Sequence, residues 1–536
     1  AVIETARSCG MPRYLLARSI GIYLTIAGVC IIRAREAGLS AAASWQDFIR
    51  AYPLRMTVMW FLLLFVLVSL FFHDHPSERM DAGLLIGGTL FFSCTLMWRS
   101  DNFYFCIGVS LTAAVFIVYG ASLLNTAQIE AVSANRTALL TALLCIIVTD
   151  FVCVTTIAIH RTFGTTCFDM GIFVQMFHSL SHHLTAVTTC ERETVLSHFN
   201  VHASYIFYLL VPVYALFPDE NTLLIAQAVL TVSGVVPLFL IARHRDFKGL
   251  PLLSVCMIYL FSDGLLAPCY YHFHENAFLP PLLLWLLYAV EKRSYILFFV
   301  MSALVCIVKE DAPLYVICIS LYLFFEERGR KRLYAAAAAC ASAAYFLFIT
   351  DWLTKNGDGS MMMATRFWNL TIDQEDGFVG LIGNVLSNPG YFISLFVRES
   401  TLLFLAEMLL PLLFLPFVTR RIHRFFLLIP FVIMNLVIGS GYSYAAIMGY
   451  QYTFGTSSLL IYMTIINLDD LGRERRNIGA ITAAAVSVIT AFSLVSGHIS
   501  DYEHYRDRAE HFQAIEACLD ATPADGRVIA STWYLP

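Results

Sequence analysis

Ala138-Leu-Leu-Thr-Ala-Leu-Leu-Cys-Ile-Ile-Val-Thr-Asp-Phe-Val-Cys-Val-Thr-Thr-Ile-Ala-Ile-His160, followed by Arg161-Thr-Phe-Gly-Thr-Thr-Cys-Phe-Asp169-Met-Gly-Ile-Phe173, decides the fold. The first part is apolar for long enough to cross ~30 Å of hydrocarbon as a helix. The second turns polar at once and places a carboxylate, Asp169, at the mouth of that span. A charge at the edge of lipid is costly unless it faces a bundle interior or a wet cavity. The functional reading therefore grows from Asp169.

Apolar runs of this kind recur along the whole chain. Hydrophobic residues make up 58% of the 536 and charged residues 14%, whereas a soluble domain carries roughly 25% charged residues. Membrane-spanning strands alternate polar and apolar positions. These runs do not, so the fold class is an all-α polytopic membrane protein. The candidate spans are 14–32, 56–72, 82–97, 103–124, 138–160, 222–241, 249–266, 276–290, 294–308, 311–326, 333–351, 399–419, 425–440, 450–467 and 478–497. Arg18 lies inside the first and makes it irregular. Net charge is −5 with no basic domain, which excludes nucleic acid as a partner.

Lys and Arg concentrate on cytoplasmic loops. Five short loops are basic: Arg243/Arg245/Lys248, Lys292/Arg293, Arg328/Arg330/Lys331/Arg332, Arg420/Arg421/Arg424 and Arg473/Arg475/Arg476. They hold 15 of the 34 Lys and Arg residues. Placing them in the cytoplasm turns loops 267–275, 309–311, 352–398 and 441–449, with the final segment, outward. Residues 203–217 are apolar too, but a full crossing there would put the basic loops outside. The stretch is about 22 Å long as a helix, contains Pro212 and ends at Pro218-Asp219. It reads as a helix lying at the outer surface. The chain divides into additional N-terminal membrane helices (1–137), a membrane core (138–497) and a polar tail (498–536). Gly526-Arg527-Val528-Ile529-Ala530-Ser531 reads as the first strand of a small soluble domain.

Four polar clusters fall at helix ends on the assigned outer side: Asp169 with His178, His182 and His183; His198 with His202; Tyr271-His272-Phe273-His274-Glu275-Asn276; and Lys309-Glu310-Asp311. Asp169 is either a general base, drawing a proton from an attacking hydroxyl, or the N-cap of a helix over 170–180. His198 and His202, at i and i+4, fit phosphate contact with His272 and His274, or ligation of a divalent ion. No HExxH pattern is present, so no metal ligand is assigned. Glu275 is a second carboxylate or a hydrogen-bond partner of the histidines. Lys309-Glu310-Asp311 has almost no room for a solvated loop, and each charge would cost about 2.5–3.5 kcal/mol at mid-bilayer. The three pair with one another, or Lys309 holds a phosphate as a point charge. Gln451 and Tyr452 open a span and line the same cavity or join an aromatic belt. Asp150, inside a span, reads as a helix–helix hydrogen bond. The 14 cysteines contain no CxxC pair and read mostly as buried small hydrophobes. Cys167 and Cys190 flank one hydrophilic loop and could pair in an oxidising compartment.

Phe163-Gly-Thr-Thr-Cys-Phe-Asp169-Met-Gly-Ile-Phe173, His198-Phe199, Phe273-His274, Lys309-Glu310-Asp311-Ala312, Leu386-Ser-Asn388-Pro389 and Gln451-Tyr452 occur in that order. The set resembles the membrane family named domain of unknown function 2079, over about 138–536. That family shows an Asp where His272 stands. It is in turn similar in layout to the C-type (GT-C) membrane glycosyltransferases. Those carry an acidic residue in the first long outer loop, then interfacial helices, and use a polyprenyl-phosphate sugar donor. Asp169 and the surface helix 203–217 take the matching places. The resemblance implies a GT-C-like bundle in the plasma membrane that moves a sugar to an acceptor hydroxyl at the outer face. Asp169 would be the base, and Lys309 with His198 or His274 would hold the donor phosphate. No cofactor is implied, with a divalent cation as an open alternative. A transporter or lipid flippase with a polar path, or a non-catalytic scaffold, stands beside that reading.

Overall fold

The computed structural model describes residues 13–36, 38, 50, 54–73, 78–192, 194–357, 366–372, 377–523 and 530–536. Among them the chain is helical, apart from one small antiparallel hairpin that pairs Val187 with Ser197 and Thr188 with Leu196. By length and composition 7 described helices can cross a membrane: Arg13–Glu36, Glu78–Met97, Phe103–Ser122, Ala134–Arg161, Glu220–His244, Lys331–Asn356 and Arg473–Asp507. Up to 10 can if each bent helix pair counts as one span.

The expected span over 249–266 is broken into Gly249–Leu260 and Asp263–Tyr270, bent by 46°. Ser262 takes an extended conformation at the break. The span over 425–440 is likewise bent by 46°, between Ile422–Leu428 and Phe431–Gly441, where Pro430 cannot donate to the helix ladder. The span over 399–419 shrinks to Glu399–Leu409, because Pro411 and Pro416 follow. Loop 352–398 is not a plain loop: Gly380–Ser387 and Pro389–Val397 form a pair bent by 89°. Asn388 sits at that break, and its side chain accepts from Tyr391 N–H at 3.1 Å.

The stretch 203–217 forms only a short 3-10 turn, Tyr205–Leu209, and the helix Val211–Leu216, too little to cross a bilayer. It buries Ile206, Phe207, Val211 and Tyr214 and exposes Leu209, Val213, Leu216 and Phe217. That two-faced pattern suits a helix lying in an interface. Arg18 does not break its helix: Asp81 takes its guanidinium at 2.7 and 3.1 Å. Asp150 is exposed, and no helix–helix hydrogen bond of its side chain occurs among the described residues, so that reading is corrected.

Helix Thr453–Asp469 is buried along nearly its whole length and forms the centre of the bundle. Its Thr453, Thr456, Ser458, Thr464 and Asn467 side chains donate to backbone carbonyls, so its polar groups can be buried without being left unpaired. Its last turns meet a polar knot at the basic end, where Arg245 contacts Glu291 at 2.6 Å and Asp469 at 3.0 Å, and Tyr462 donates to Glu291 at 2.6 Å. Helix Arg473–Asp507 runs ten residues past the expected end of its span at 497, and helix Ala509–Asp520 follows. The tail returns to the loop after Arg161, where Arg161 contacts Glu516 at 2.9 Å. The strand expected over 526–531 falls mainly on 524–529, outside the described residues; Thr532–Tyr534 is a 3-10 turn.

Gly249 starts its helix at φ +56, and a Cβ there would lie 2.6 Å from Glu130 Cα. Gly249→Ala should therefore lower stability by roughly 1–3 kcal/mol. A depressed thermal midpoint in detergent would show it; an unchanged midpoint would mean that the contact yields.

Candidate functional site

The loop leaving helix Ala134–Arg161 enters helix Ile172–His183 through a sharp turn. Within it Phe168 is extended (φ −69, ψ 128) and Asp169 takes φ +69, ψ −74. The latter is the rare positive-φ γ-turn, which costs on the order of 1–3 kcal/mol for a residue with a Cβ. The Thr166 hydroxyl donates to the Phe168 carbonyl at 2.8 Å and helps hold the turn. Gly171 is the N-cap of the following helix, and no side chain caps it. The capping reading of Asp169 is thereby corrected. The helix starts at Ile172, and the carboxylate serves contacts across the fold. Tyr271 donates its hydroxyl to Asp169 Oδ2 at 2.7 Å, and His274 Nε2 lies 3.5 Å from the same oxygen.

Segment 271–274 is placed by a residue that sequence reasoning missed. Gln227, buried in helix Glu220–Ser233, donates to the His272 carbonyl at 2.9 Å and accepts from His274 N–H at 2.8 Å. Phe273 is fully buried and anchors the segment. From His274 a line of charges continues inward. His274 Nδ1 is 3.6 Å from Glu275 Oε2, and Glu275 Oε1 is 2.6 Å from Lys309 Nζ. Alongside, Glu310 meets His202 Nδ1 at 2.9 Å and accepts from Ala203 N–H at 3.2 Å. His198 Nδ1 meets Glu191 at 2.9 Å.

A cleft enclosing about 790 Å³ of space, part of it open to solvent, is lined by Asp169, His198, His202, His274, Glu275, Lys309, Gln451 and Tyr452. Eight of the expected residues thus come together. His272, Glu310 and Asp311 do not line it. His272 sits behind, with Nε2 3.4 Å from the Thr166 hydroxyl; Glu310 backs His202; Asp311 is buried. His178, His182 and His183 are exposed on the outer face of their helix, apart from Asp169. Ile172, Phe173, Glu191, Tyr271, Arg366, Tyr442, Tyr444 and Tyr450 complete the lining. The Arg366 guanidinium lies 5.3 Å from the Tyr442 ring and 5.4 Å from that of Tyr452. Among the described residues no carboxylate is in direct ion-pair contact with it; Asp311 and Glu310 act on its charge from further off, and it donates to the Tyr452 hydroxyl at 3.5 Å. The signal for it was available: an isolated Arg on a side depleted of basic residues.

Burial alone would raise the Asp169 carboxyl, but His274 and the Tyr271 hydroxyl outweigh it and hold the group well below the usual carboxylate range. The side chain keeps 32% of its exposure and so meets the cleft. Burial opposes the charged form of His274, yet Asp169 and Glu275 raise it to about 8. Burial lowers His272 to about 4. Lys309 is pushed up despite burial, by Glu275, Glu310 and Asp311. Glu275 is held down by Lys309 and His274 against the cost of burial. The result is an ionised carboxylate beside a cationic imidazole, backed by a sealed ion pair. Among the described residues no group of three or more His, Cys, Asp or Glu has the geometry to hold a metal ion.

A second cavity, of about 890 Å³, holds the carboxylates of Asp101, Asp263 and Glu407 and one cation, Arg99. Arg99 is already engaged by Glu503 at 2.5 Å. That cavity offers no imidazole, and a third, of about 830 Å³, holds His160 but none of the expected residues, so the first one is the candidate site.

Fold and site together define a helical membrane protein with a charged, aromatic-lined cleft at the end of the bundle away from its basic loops. The chain belongs to the family described as predicted membrane protein (DUF2079), which matches residues 159–536. The match begins in the last turn of span Ala134–Arg161 and not at 138. No curated protein and no solved structure matches the chain.

Lys309→Met should cost roughly 3–5 kcal/mol, because it strands a buried carboxylate. Adding Glu275→Gln should recover much of the loss in thermal denaturation; a double variant as unstable as the single one would contradict the pairing. His274 supplies a pH signature. Its folded value lies above its unfolded one, so its contribution of about 2 kcal/mol is complete below pH 6.5 and lost as pH rises through about 8. The difference in thermal midpoint between the wild type and His274→Gln should therefore shrink across that window. A difference flat from pH 6 to 9 would contradict it.

Proposed function

We propose that this protein is a glycosyltransferase that moves a sugar from a polyprenyl-phosphate donor to an acceptor hydroxyl, at the outer face of the cytoplasmic membrane. The observation that carries the reading is the placement of Asp169. A non-helical turn aims its carboxylate into a cleft walled by tyrosines, carboxylates and an amide, side chains suited to a sugar. The layout shared with C-type glycosyltransferases supports it from the sequence side.

In this reading the acceptor hydroxyl takes the place of the Tyr271 hydroxyl on Asp169 Oδ2. As the acceptor oxygen bonds to the anomeric carbon, its proton passes to the carboxylate. The bond from that carbon to the phosphate oxygen breaks, the electron pair leaves with the polyprenyl phosphate, and the anomeric centre inverts. His274 keeps Asp169 ionised and oriented beforehand. Lys309 faces the cleft, but Glu275 already answers its charge. The growing phosphate charge is therefore met by Arg366, and this shifts the phosphate role from the residue first expected. The exposed apolar face at Leu209, Val213 and Leu216 suits a donor arriving from the lipid.

One observation favours a second reading. Asp169, His274, Glu275 and Lys309 form a continuous line of titratable groups, as in proton-coupled transporters. Purified protein in proteoliposomes separates the two when supplied with lipid extract carrying radiolabelled sugar. The transferase reading expects label on an acceptor, a loss of about 10²–10⁴-fold in Asp169→Asn with an unchanged thermal midpoint, and weaker donor saturation in Arg366→Gln. Flux of label across the vesicle without transfer would replace it with the transporter, and full transfer by Asp169→Asn would remove the base.

A further inference from the structure

Two cysteines from separate loops meet beside the Asp169 turn. Cys167 stands two residues before Asp169, and Cys190 directly precedes Glu191, the carboxylate that holds His198. Both are buried, and they pack with Ile172 into one small cluster under Leu535. Both stand as free thiols in this structure, and within that cluster Cys190 is the side chain that neighbours the Cys167 thiol. Their backbones are fixed independently. Cys167 N–H donates to Thr532 Oγ1 at 3.3 Å, and Cys190 N–H to Thr188 Oγ1 at 3.1 Å. Most other described cysteines lie within helices. These two lie outside the membrane-crossing helices, at the end of the bundle opposite the basic loops.

We propose that Cys167 and Cys190 form a disulfide in the mature protein and that this bond clamps the Asp169 turn to the Glu191 loop. The turn needs such a clamp. Asp169 has φ +69, and the segment before helix Ile172–His183 has no strand or regular helix to hold it. Adjacent thiols on a surface facing an oxidising compartment pair by exchange. One cysteine thiolate attacks an exogenous disulfide and releases one of its sulfurs as a thiolate, and the second cysteine thiolate attacks the protein sulfur of the mixed disulfide and releases the other. The donor disulfide is thereby reduced to two thiols, which take up the two protons that the cysteines lose. The bond joins the ends of a long loop, which restricts the unfolded chain, and it ties the Asp169 turn to the loop whose Glu191 holds His198 across the cleft. The inference rests on the outward placement of this end and does not depend on sugar transfer.

The test uses the full chain expressed in its membrane. Thiols are trapped in cells with a permeant maleimide, the protein is purified without reductant, and peptides are mapped before and after reduction. The expected result is a peptide containing Cys167 joined to one containing Cys190, with both sulfurs open to alkylation only after reduction. The wild type should melt lower in reductant, whereas Cys167→Ser, Cys190→Ser and the double variant should melt at one common lower temperature, indifferent to reductant. Both cysteines carrying maleimide from the intact cell would overturn the proposal, even if an added oxidant later joins them. So would a wild-type midpoint unmoved by reductant. None of these readouts uses transfer activity, so their failure is separable from failure of the transferase reading.

Discussion

Glu275 Oε1 and Lys309 Nζ, 2.6 Å apart with side-chain exposures of 1% and 4%, form the contact on which this end of the bundle depends. Neither charge could be buried alone among apolar helices. Together they tie the segment before helix Leu279–Lys292 to the junction between Tyr295–Cys306 and Pro313–Glu326. The pair also sets the charge states around it. Glu275 helps to keep His274 cationic, and His274 keeps Asp169 ionised. A stabilising contact deep in the fold thereby reaches Asp169, the most exposed of the carboxylates that line the cleft.

Helix length places that cleft. Leu279–Lys292, Tyr295–Cys306 and Pro313–Glu326 have 14, 12 and 14 residues and rise about 18–21 Å, against a hydrocarbon core of ~30 Å. Each joins a basic loop to the charged cluster. Measured from the basic loops, the cluster is therefore recessed, and the short surface helices around 205–216 rim it. A recessed polar cleft beside exposed apolar side chains suits a substrate with a charged head and a lipid tail. The same depth would suit a translocation path, which is why the two readings part on transfer against flux and not on shape.

Much of this was legible because polar residues at the ends of apolar spans are conspicuous. Asp169, His198, His202, His274, Glu275, Lys309, Gln451 and Tyr452 stand out on that ground and do share one cleft. Adjacency in sequence misled where the backbone turns. Lys309-Glu310-Asp311 reads as one cluster, but a tight turn sends only Lys309 into the cleft. His272 likewise turns behind Tyr271, whose ψ of −109 redirects the chain. Glu191 and Gln227 carried no span-end signal and arrive through tertiary packing, whereas Arg366 was marked only as a basic residue on a side depleted of them. Hydropathy found the spans but neither of their breaks, at Pro430 and at the extended Ser262. Nor does any residue pattern announce the positive-φ turn at Asp169.

The most direct measurement is a cryo-EM map of the protein in a lipid nanodisc with a short-chain prenyl-phosphate sugar. The account expects the sugar within hydrogen-bonding reach of Asp169, the phosphate against Arg366, and the prenyl chain passing over the helix at 211–216 into lipid. A ligand bound elsewhere, with Asp169 still closed on Tyr271 and His274, would contradict it.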